Sequence, residues 1–496
     1  NFKNPLRSGF DIESLGEGDY YGFELDGNHL YLLGDFTVTH NSVIGIDVSA
    51  NLLNNNKVNK VIIFGTKSSV LELTNDFKNK LEYSGGYSFK PFIILDDASL
   101  FEFFKNNDND IGFIQYETLH RIDLALFNKG LIKYKTAILL DESHKVKNPK
   151  ALLTKSIVAL RKSMEYLILL TATPLTSNLF DLFYQVQILD SKIFINKTRF
   201  TEQFVEMRMV KNFKTGRQYP EIVKYKNLEL LREKLKDICY DYYPEQDTNY
   251  LIHKTIIDNT DKYIEAAEGL LGTKDAKIHA ARLVDLQHVV DKSKNKLKLY
   301  LNLVKKLLPK GLITYCHFRE TVNLLSKAFD KFNIDYKVIH GQVSSKDRKE
   351  IKSWFNENPS NKVLIITSAG SQSLNLQSVN DMIFYNIPFG WGAFSQAKGR
   401  IERLFSKHTK FNIHFILTEI EYNNTTTGTV DYYKYELISS YGELTTTVFE
   451  ANEVPKSKLQ SFNKNLMAKI RKETLWKKSK SAGKRRIKRL GDCSNE

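Results

Sequence analysis

Cysteine is scarce. Cys239, Cys316 and Cys493 are the only three in 496 residues, and they lie far apart. They form neither a metal-ligand pair nor a disulfide framework, which fits a reducing compartment. No window holds 18 uninterrupted apolar residues, so no membrane-spanning helix and no membrane partner is expected. No secretion signal and no repeat of solenoid period is found. The chain opens on Asn1 rather than Met, and a fragment edge or a processed product is expected there. Together these absences point to a cytoplasmic setting.

What is present is ordinary for a globular protein: 42% hydrophobic and 26% charged residues, in a chain long enough for two or three domains. The net charge of +15 is uneven. Residues 456–496 hold 14 Lys and Arg against three acids, a basic block suited to a polyanion. The plainer reading of that block is a solvated tail.

Apolar runs recur in two series. The first is KVIIF (60–64), PFIIL (91–95), IGFIQY (111–116), TAILLDE (136–142) and EYLILLTAT (165–173). The second is GLITYCH (311–317), YKVIHG (336–341), KVLIITS (362–368), DMIFYNIP (381–388) and FNIHFIL (411–417). Strands alternating with amphipathic helices predict βαβ units and parallel sheets. The expected fold is therefore α/β with two lobes, 42–190 and 296–440. A helical insert or linker is expected over 191–295, a small β-rich segment over 1–41 and a basic tail over 441–496.

Residues 1–41 end in His40-Asn41, followed by Ser42. An Asn amide can attack its own carbonyl and release the backbone as a succinimide, while a neighbouring His polarises that carbonyl. Ser42 supplies an oxygen nucleophile. A turn in a hairpin is the plainer reading. The stretch DGNHLYLLGDFTVTHN resembles the C-terminal splicing blocks of inteins. That resemblance implies a Hint-type segment in which Asn41 cyclises, His40 and His29 assist, and Ser42 begins the spliced product. It also implies an upstream intein and extein half, joined in cis or in trans.

LLDESHKVKNP (139–149) places Asp141 and Glu142 at the end of an apolar strand. Nucleotide hydrolysis uses such a pair, one carboxylate for Mg²⁺ and the next for the attacking water. TATP (171–174) follows at another strand end, and QAKGRIERL (396–404) carries Arg400 and Arg403 three apart, a spacing that predicts one helix face. With QYETLHR (115–121) and LTATPLTSNLFDLFYQVQILD (170–190), these runs resemble the SWI/SNF-type superfamily-two helicases. The resemblance spans about 42–440. It implies two RecA-like lobes with ATP and Mg²⁺ between them, and ATP-driven movement along double-stranded DNA. Nucleotide contacts are implied for Ser42, Asp141, Glu142, His144, Gln396, Arg400 and Arg403, with Ser42 and Asp141 toward Mg²⁺. DNA contacts are implied for Thr66, Lys67, Ser68, Thr171 and Thr367.

Some readings stay open. His144 either couples the carboxylates to the second lobe or caps a helix. The GTKSSV loop either meets phosphates or caps a helix at Ser68 or Ser69. Trp391 is either structural or a base-side contact. The Gly-rich GGxGLNL pattern of the family stands here as Gly370-Ser371-Gln372-Ser373-Leu374-Asn375-Leu376, which bears on loop flexibility.

One motif is missing. No GxxxxGK[ST] phosphate loop occurs. Ser42 nonetheless heads SVIGIDVSA as the residue after such a loop would. The expectation is an intein inserted between the loop's Lys and Ser42, so that the chain as it stands hydrolyses ATP weakly or not at all. A non-catalytic DNA-binding scaffold, and a fragment active only in splicing, are the alternatives.

Overall fold

The computed structural model describes residues 30–35, 38–79, 87–176, 178–211, 218–242, 247–271, 276–368, 376–402, 406, 408–422 and 425–449. Among them lie two seven-stranded sheets and a hairpin.

The first sheet holds β1 (Leu30–Asp35), β2 (Lys60–Gly65), β3 (Pro91–Ile94), β4 (Ile111–Gln115), β5 (Thr136–Asp141) and β6 (Tyr166–Thr171). A later strand completes it. The hairpin β7 (Val205–Lys211) and β8 (Gln218–Tyr225) comes first, then β9 (Cys239–Tyr242) returns to the sheet. The order is β3-β4-β2-β5-β6-β1-β9, and every printed pairing in it is parallel.

Alternate residues of each central strand serve opposite cores, as the twofold strand period requires. Ile62, Phe64, Ile138 and Leu140 face one cluster; Val61, Ile63, Ala137 and Leu139 face the other. Burial on both faces is why these strands are continuous apolar runs.

The second sheet holds β10 (Asp247–Ile256), β11 (Leu312–Tyr315), β12 (Asp335–Ile339), β13 (Lys362–Ile366), β14 (Asp381–Phe384) and β15 (Lys410–Tyr422), with β16 (Thr425–Gly428) antiparallel to β15. Its order is β10-β15-β14-β11-β13-β12. Six helices matter below: α1 (Val38–Asn54), α2 (Lys67–Asn79), α3 (Phe180–Leu189), α4 (Leu228–Leu235), α5 (Trp391–Lys398) and α6 (Val430–Phe449).

All ten expected strands are present. Three expected boundaries are not. The insert 191–295 is divided between the lobes: β9 closes the first sheet and β10 edges the second. Neither strand is an apolar run, since β10 is largely exposed along its length. The tail expected from residue 441 starts later, because α6 continues to Phe449 and buries Leu444, Val448 and Phe449 against Leu231 and Leu235 of lobe 1. Arg232 of α4 caps that end by donating to the carbonyls of Val448 (3.4 Å) and Thr447. The basic block 456–496 lies outside the described residues.

The segment 1–41 also differs from a separate β unit. Leu30–Asp35 pairs with β6 and β9 inside the first sheet, and α1 runs through His40, Asn41 and Ser42. Between a strand that needs a neighbour and a helix that continues into Val43–Asn54, the 41/42 junction is no break in secondary structure. His29 lies outside the described residues. No described helix is long and apolar enough to cross a membrane.

Candidate active site

Parallel strands deliver their carboxyl ends to one edge, and β5 ends there in Asp141 followed by Glu142. Tyr116, from the QYETLHR run, is buried and donates its hydroxyl to the Asp141 carbonyl at 2.7 Å. Glu142 itself turns left-handed, at φ 54° and ψ 49°. A non-glycine residue held there costs on the order of 1–3 kcal/mol, a cost found at sites where geometry matters more than stability. The turn leaves Asp141 6% and Glu142 9% exposed. Burial pushes the Glu142 pKa up, but the His144 hydrogen bond and the charges of His144, Arg400 and Lys145 bring it below the ordinary glutamate value. The carboxylate is therefore ionised.

His144 joins the carboxylate turn to the TATP turn. Its Nδ1 lies 3.2 Å from Glu142 Oε2, 3.2 Å from Thr171 Oγ1 and 3.4 Å from Thr173 Oγ1. All three partners belong to lobe 1. This also corrects the expectation for Thr171. It is fully buried with its hydroxyl engaged by His144 and by the Thr173 amide at 3.1 Å, so it presents nothing to a DNA phosphate.

A second set of bonds locks the same two turns. Ser143 donates to Gln185 Oε1 (2.9 Å), and Gln185 Nε2 donates to the carbonyls of Pro174 (2.8 Å) and Asp181 (3.0 Å). Asp181 Oδ2 accepts from the Thr176 hydroxyl (2.6 Å) and amide (3.1 Å) and lies 3.3 Å from Lys147 Nζ. Asp181 and Gln185 were not expected as site residues. Their spacing of four on one face of α3 within the LFDLFYQ run was the available signal.

Lobe 2 reaches this site through α5. Gly392 brings the backbone close to the TATP turn: a Cβ there would stand 3.3 Å from Thr176 Cγ2. One turn on, Gln396 Nε2 donates to Glu142 Oε1 at 3.3 Å. Arg400 is 1% exposed and its charge acts on Glu142. The expectation that Arg400 and Arg403 share a helix face is corrected for Arg400. The helix ends at Lys398 with Gly399 as its cap, and Arg400 sits in the following turn. Arg403 lies outside the described residues. Trp391 packs on α6, where a Cβ on Gly442 would come within 2.9 Å of its ring, so its role in the fold is a lobe-internal contact.

The remaining expected residues sit on other elements. Ser42 is on α1, near its start. Thr66 caps α2 in a reciprocal pair with Ser69: the Ser69 amide donates to Thr66 Oγ1 (3.2 Å) and the Thr66 amide to Ser69 Oγ (2.8 Å). The cap is thus Thr66 rather than Ser68 or Ser69. Lys67 is exposed and Ser68 follows it in the first turn. Thr367 is only 5% exposed, which argues against the DNA contact expected of it. Of the loop Gly370–Leu376, only Leu376 is described.

The donor set fits a hard divalent cation and a phosphate-bearing ligand. Buried Asp141 offers oxygen ligands suited to Mg²⁺ beside the Glu142 carboxylate, and Arg400 and Gln396 approach from the opposite lobe.

Comparison with known proteins agrees with that division. The SNF2-related domain profile matches residues 50–319, and the helicase conserved C-terminal domain profile matches 295–404. The chain is 24% identical over 323 residues to a Mycoplasma pneumoniae protein named "Uncharacterized ATP-dependent helicase", covering 62% of this chain and 30% of that one. It is 25% identical over 356 residues to the CHD3-type chromatin-remodeling factor CHR7 of Arabidopsis thaliana, covering 66% and 28%. The chain thus spans less than a third of the length of either relative. The SWI2/SNF2 ATPase core of Sulfolobus solfataricus in complex with dsDNA overlays with a TM-score of 0.35 at 18% identity, over 85% of this chain and 88% of that one. With more than half of its residues matched by the SNF2-related profile, this protein belongs to the SNF2-related family.

Proposed function

We propose that this chain is the motor core of an ATP hydrolase that moves along double-stranded DNA. The observation that carries the hydrolysis reading is the contact of Gln396 with Glu142, beside buried Arg400, across the two lobes. Ionised Glu142 accepts the proton of the attacking water. Gln396 holds one carboxylate oxygen in place, and His144 holds the other against Thr171 and Thr173. Arg400 offsets the negative charge that develops on the transferred phosphoryl group. Asp141 and Ser42 are the residues that would hold Mg²⁺, which when bound would offset negative charge on the phosphates.

DNA as partner is supported by family membership, by the +15 net charge and by the basic block 456–496. Lys67, exposed in the first turn of α2, is the proposed phosphate contact, since a cation at a helix start suits a backbone phosphate.

The His40-Asn41-Ser42 junction is proposed as a splicing junction. Asn41 cyclises with help from His40 and His29, and Ser42 is retained to serve next as the hydroxyl of the phosphate loop. An upstream half, in cis or in trans, supplies the Gly-rich loop and its Lys. The test uses a loop-restored protein, with a GxGK sequence placed directly before Ser42. Hydrolysis should be lost in Glu142→Gln and in Arg400→Ala. Splicing is tested separately in a precursor, where Asn41→Ala should block release of residues 1–41.

A further inference from the structure

The turn that carries Arg400 is gripped in part from outside the 396–404 run, by Thr248 and Tyr250. Its backbone is regular: the Arg400 amide donates to Ala397 O (3.2 Å), Ile401 to Lys398 O (3.1 Å) and Glu402 to Lys398 O (3.3 Å). The Arg400 carbonyl accepts from the Leu376 amide at 3.1 Å. Two residues on, Glu402 is 6% exposed. A carboxylate that far from water requires partners for its oxygens, and both oxygens have one. Thr248 Oγ1 donates to Oε1 at 2.7 Å, and Lys398 Nζ lies 2.8 Å from Oε2.

Lys398 is held in turn. It donates to the Tyr250 hydroxyl at 3.2 Å and stands 5.8 Å over the Tyr250 ring. Burial works against its charge, yet Glu402 and Tyr250 raise its pKa above the ordinary lysine value. Thr248 and Tyr250 are two apart on β10, hence on one face. Their places are fixed by the register Thr248↔Phe411 and Tyr250↔Ile413 on β15. β10 is the first strand of lobe 2 after the chain leaves β9 of lobe 1.

We propose that Glu402 is a positioning residue: clamped between Thr248 of β10 and Lys398 of α5, it fixes the turn that holds Arg400 beside Glu142. The strand arriving from lobe 1 is thereby tied to the placement of the arginine. The consequence for turnover rests on the hydrolysis reading above; the geometry does not.

The test is amide hydrogen exchange on the full chain with Glu402→Gln, Thr248→Val and Thr248→Ser. Glu402→Gln keeps the shape but sets an amide against Lys398; Thr248→Val removes one hydroxyl. Each should speed exchange at Leu376, Arg400 and Ile401 about tenfold, the scale of losing a hydrogen bond to a charged group. The amides of β13 should keep their protection, and Thr248→Ser should restore the local value. In the loop-restored protein, Glu402→Gln should lower kcat about tenfold with KM for ATP changed less than twofold. No local change in either variant, or an equal loss of protection throughout lobe 2, overturns the proposal. If Arg400→Ala leaves turnover intact, the hydrolysis reading fails, while the exchange result still decides the positioning claim.

Discussion

Gln396, on a helix of lobe 2, donates a 3.3 Å hydrogen bond to the carboxylate of Glu142, at a strand end of lobe 1. The bond runs directly between the lobes and ends on the residue proposed as general base. Removing it should affect chemistry more than binding. Gln396→Ala in the loop-restored protein is expected to lower kcat about tenfold, with KM for ATP changed less than twofold, in steady-state kinetics. Gln396→Glu should be worse, because it sets a second carboxylate against Glu142.

Glu142→Gln keeps the size and both neighbours of the side chain but cannot take a proton. Turnover should fall by a factor of about 10² to 10⁴, the usual worth of a general base. ATP binding, measured by calorimetry, should survive.

Stability should fall with acid through His317. Burial, then the charge of Lys434, pushes its pKa down to about 4 in the folded chain. The unfolded chain takes up this proton near the ordinary value of 6.5. The unfolded state therefore binds more protons between these limits, and stability drops as pH falls from 6.5 to 4. Lys434 acts in the same sense at higher pH. Burial lowers its pKa to about 7 against Asp431 and Asp291, which raise it. Stability is lost as pH falls from about 10.5 to 7. Denaturant titrations should show His317→Phe flattening the lower window and Lys434→Met the upper one.

Lys296 is fully buried between Asp291 (3.2 Å) and Asp431 (2.9 Å). Asp291 also accepts from Thr321 (2.7 Å) and Asn386 (2.7 Å), so the network joins α6 to the β14 end. Lys296→Met leaves two buried carboxylates facing one another. A loss of about 3–5 kcal/mol in urea unfolding is expected.

The sequence made the central strands legible because parallel strands buried on both faces must be apolar throughout. KVIIF and TAILLDE could hardly be anything else. β10 was hidden because an edge strand with Tyr250, Leu251 and Lys254 exposed has no such run. The Asp141-Glu142 pair is legible as adjacent carboxylates at a strand end and Gln396 only through the family resemblance, and the structure sets Gln396 3.3 Å from Glu142. Arg400 was assigned to a helix because spacing of three suggests one, whereas Gly399 ends that helix one residue earlier. The resemblance implies a DNA contact for Thr171, and sequence alone does not reveal that His144 engages its hydroxyl. Asp181 and Gln185 share a helix face at a spacing of four, but that spacing does not reveal their bonds to backbone and to Ser143 and Thr176 across turns.

The most direct measurement is ATP turnover, with and without double-stranded DNA, in the chain as it stands and in the loop-restored protein. The account predicts turnover at or near background in the first. In the second it predicts DNA-stimulated turnover that Glu142→Gln abolishes. Robust Glu142-dependent hydrolysis by the chain without the loop would contradict it, as would a loop-restored protein indifferent to Glu142→Gln.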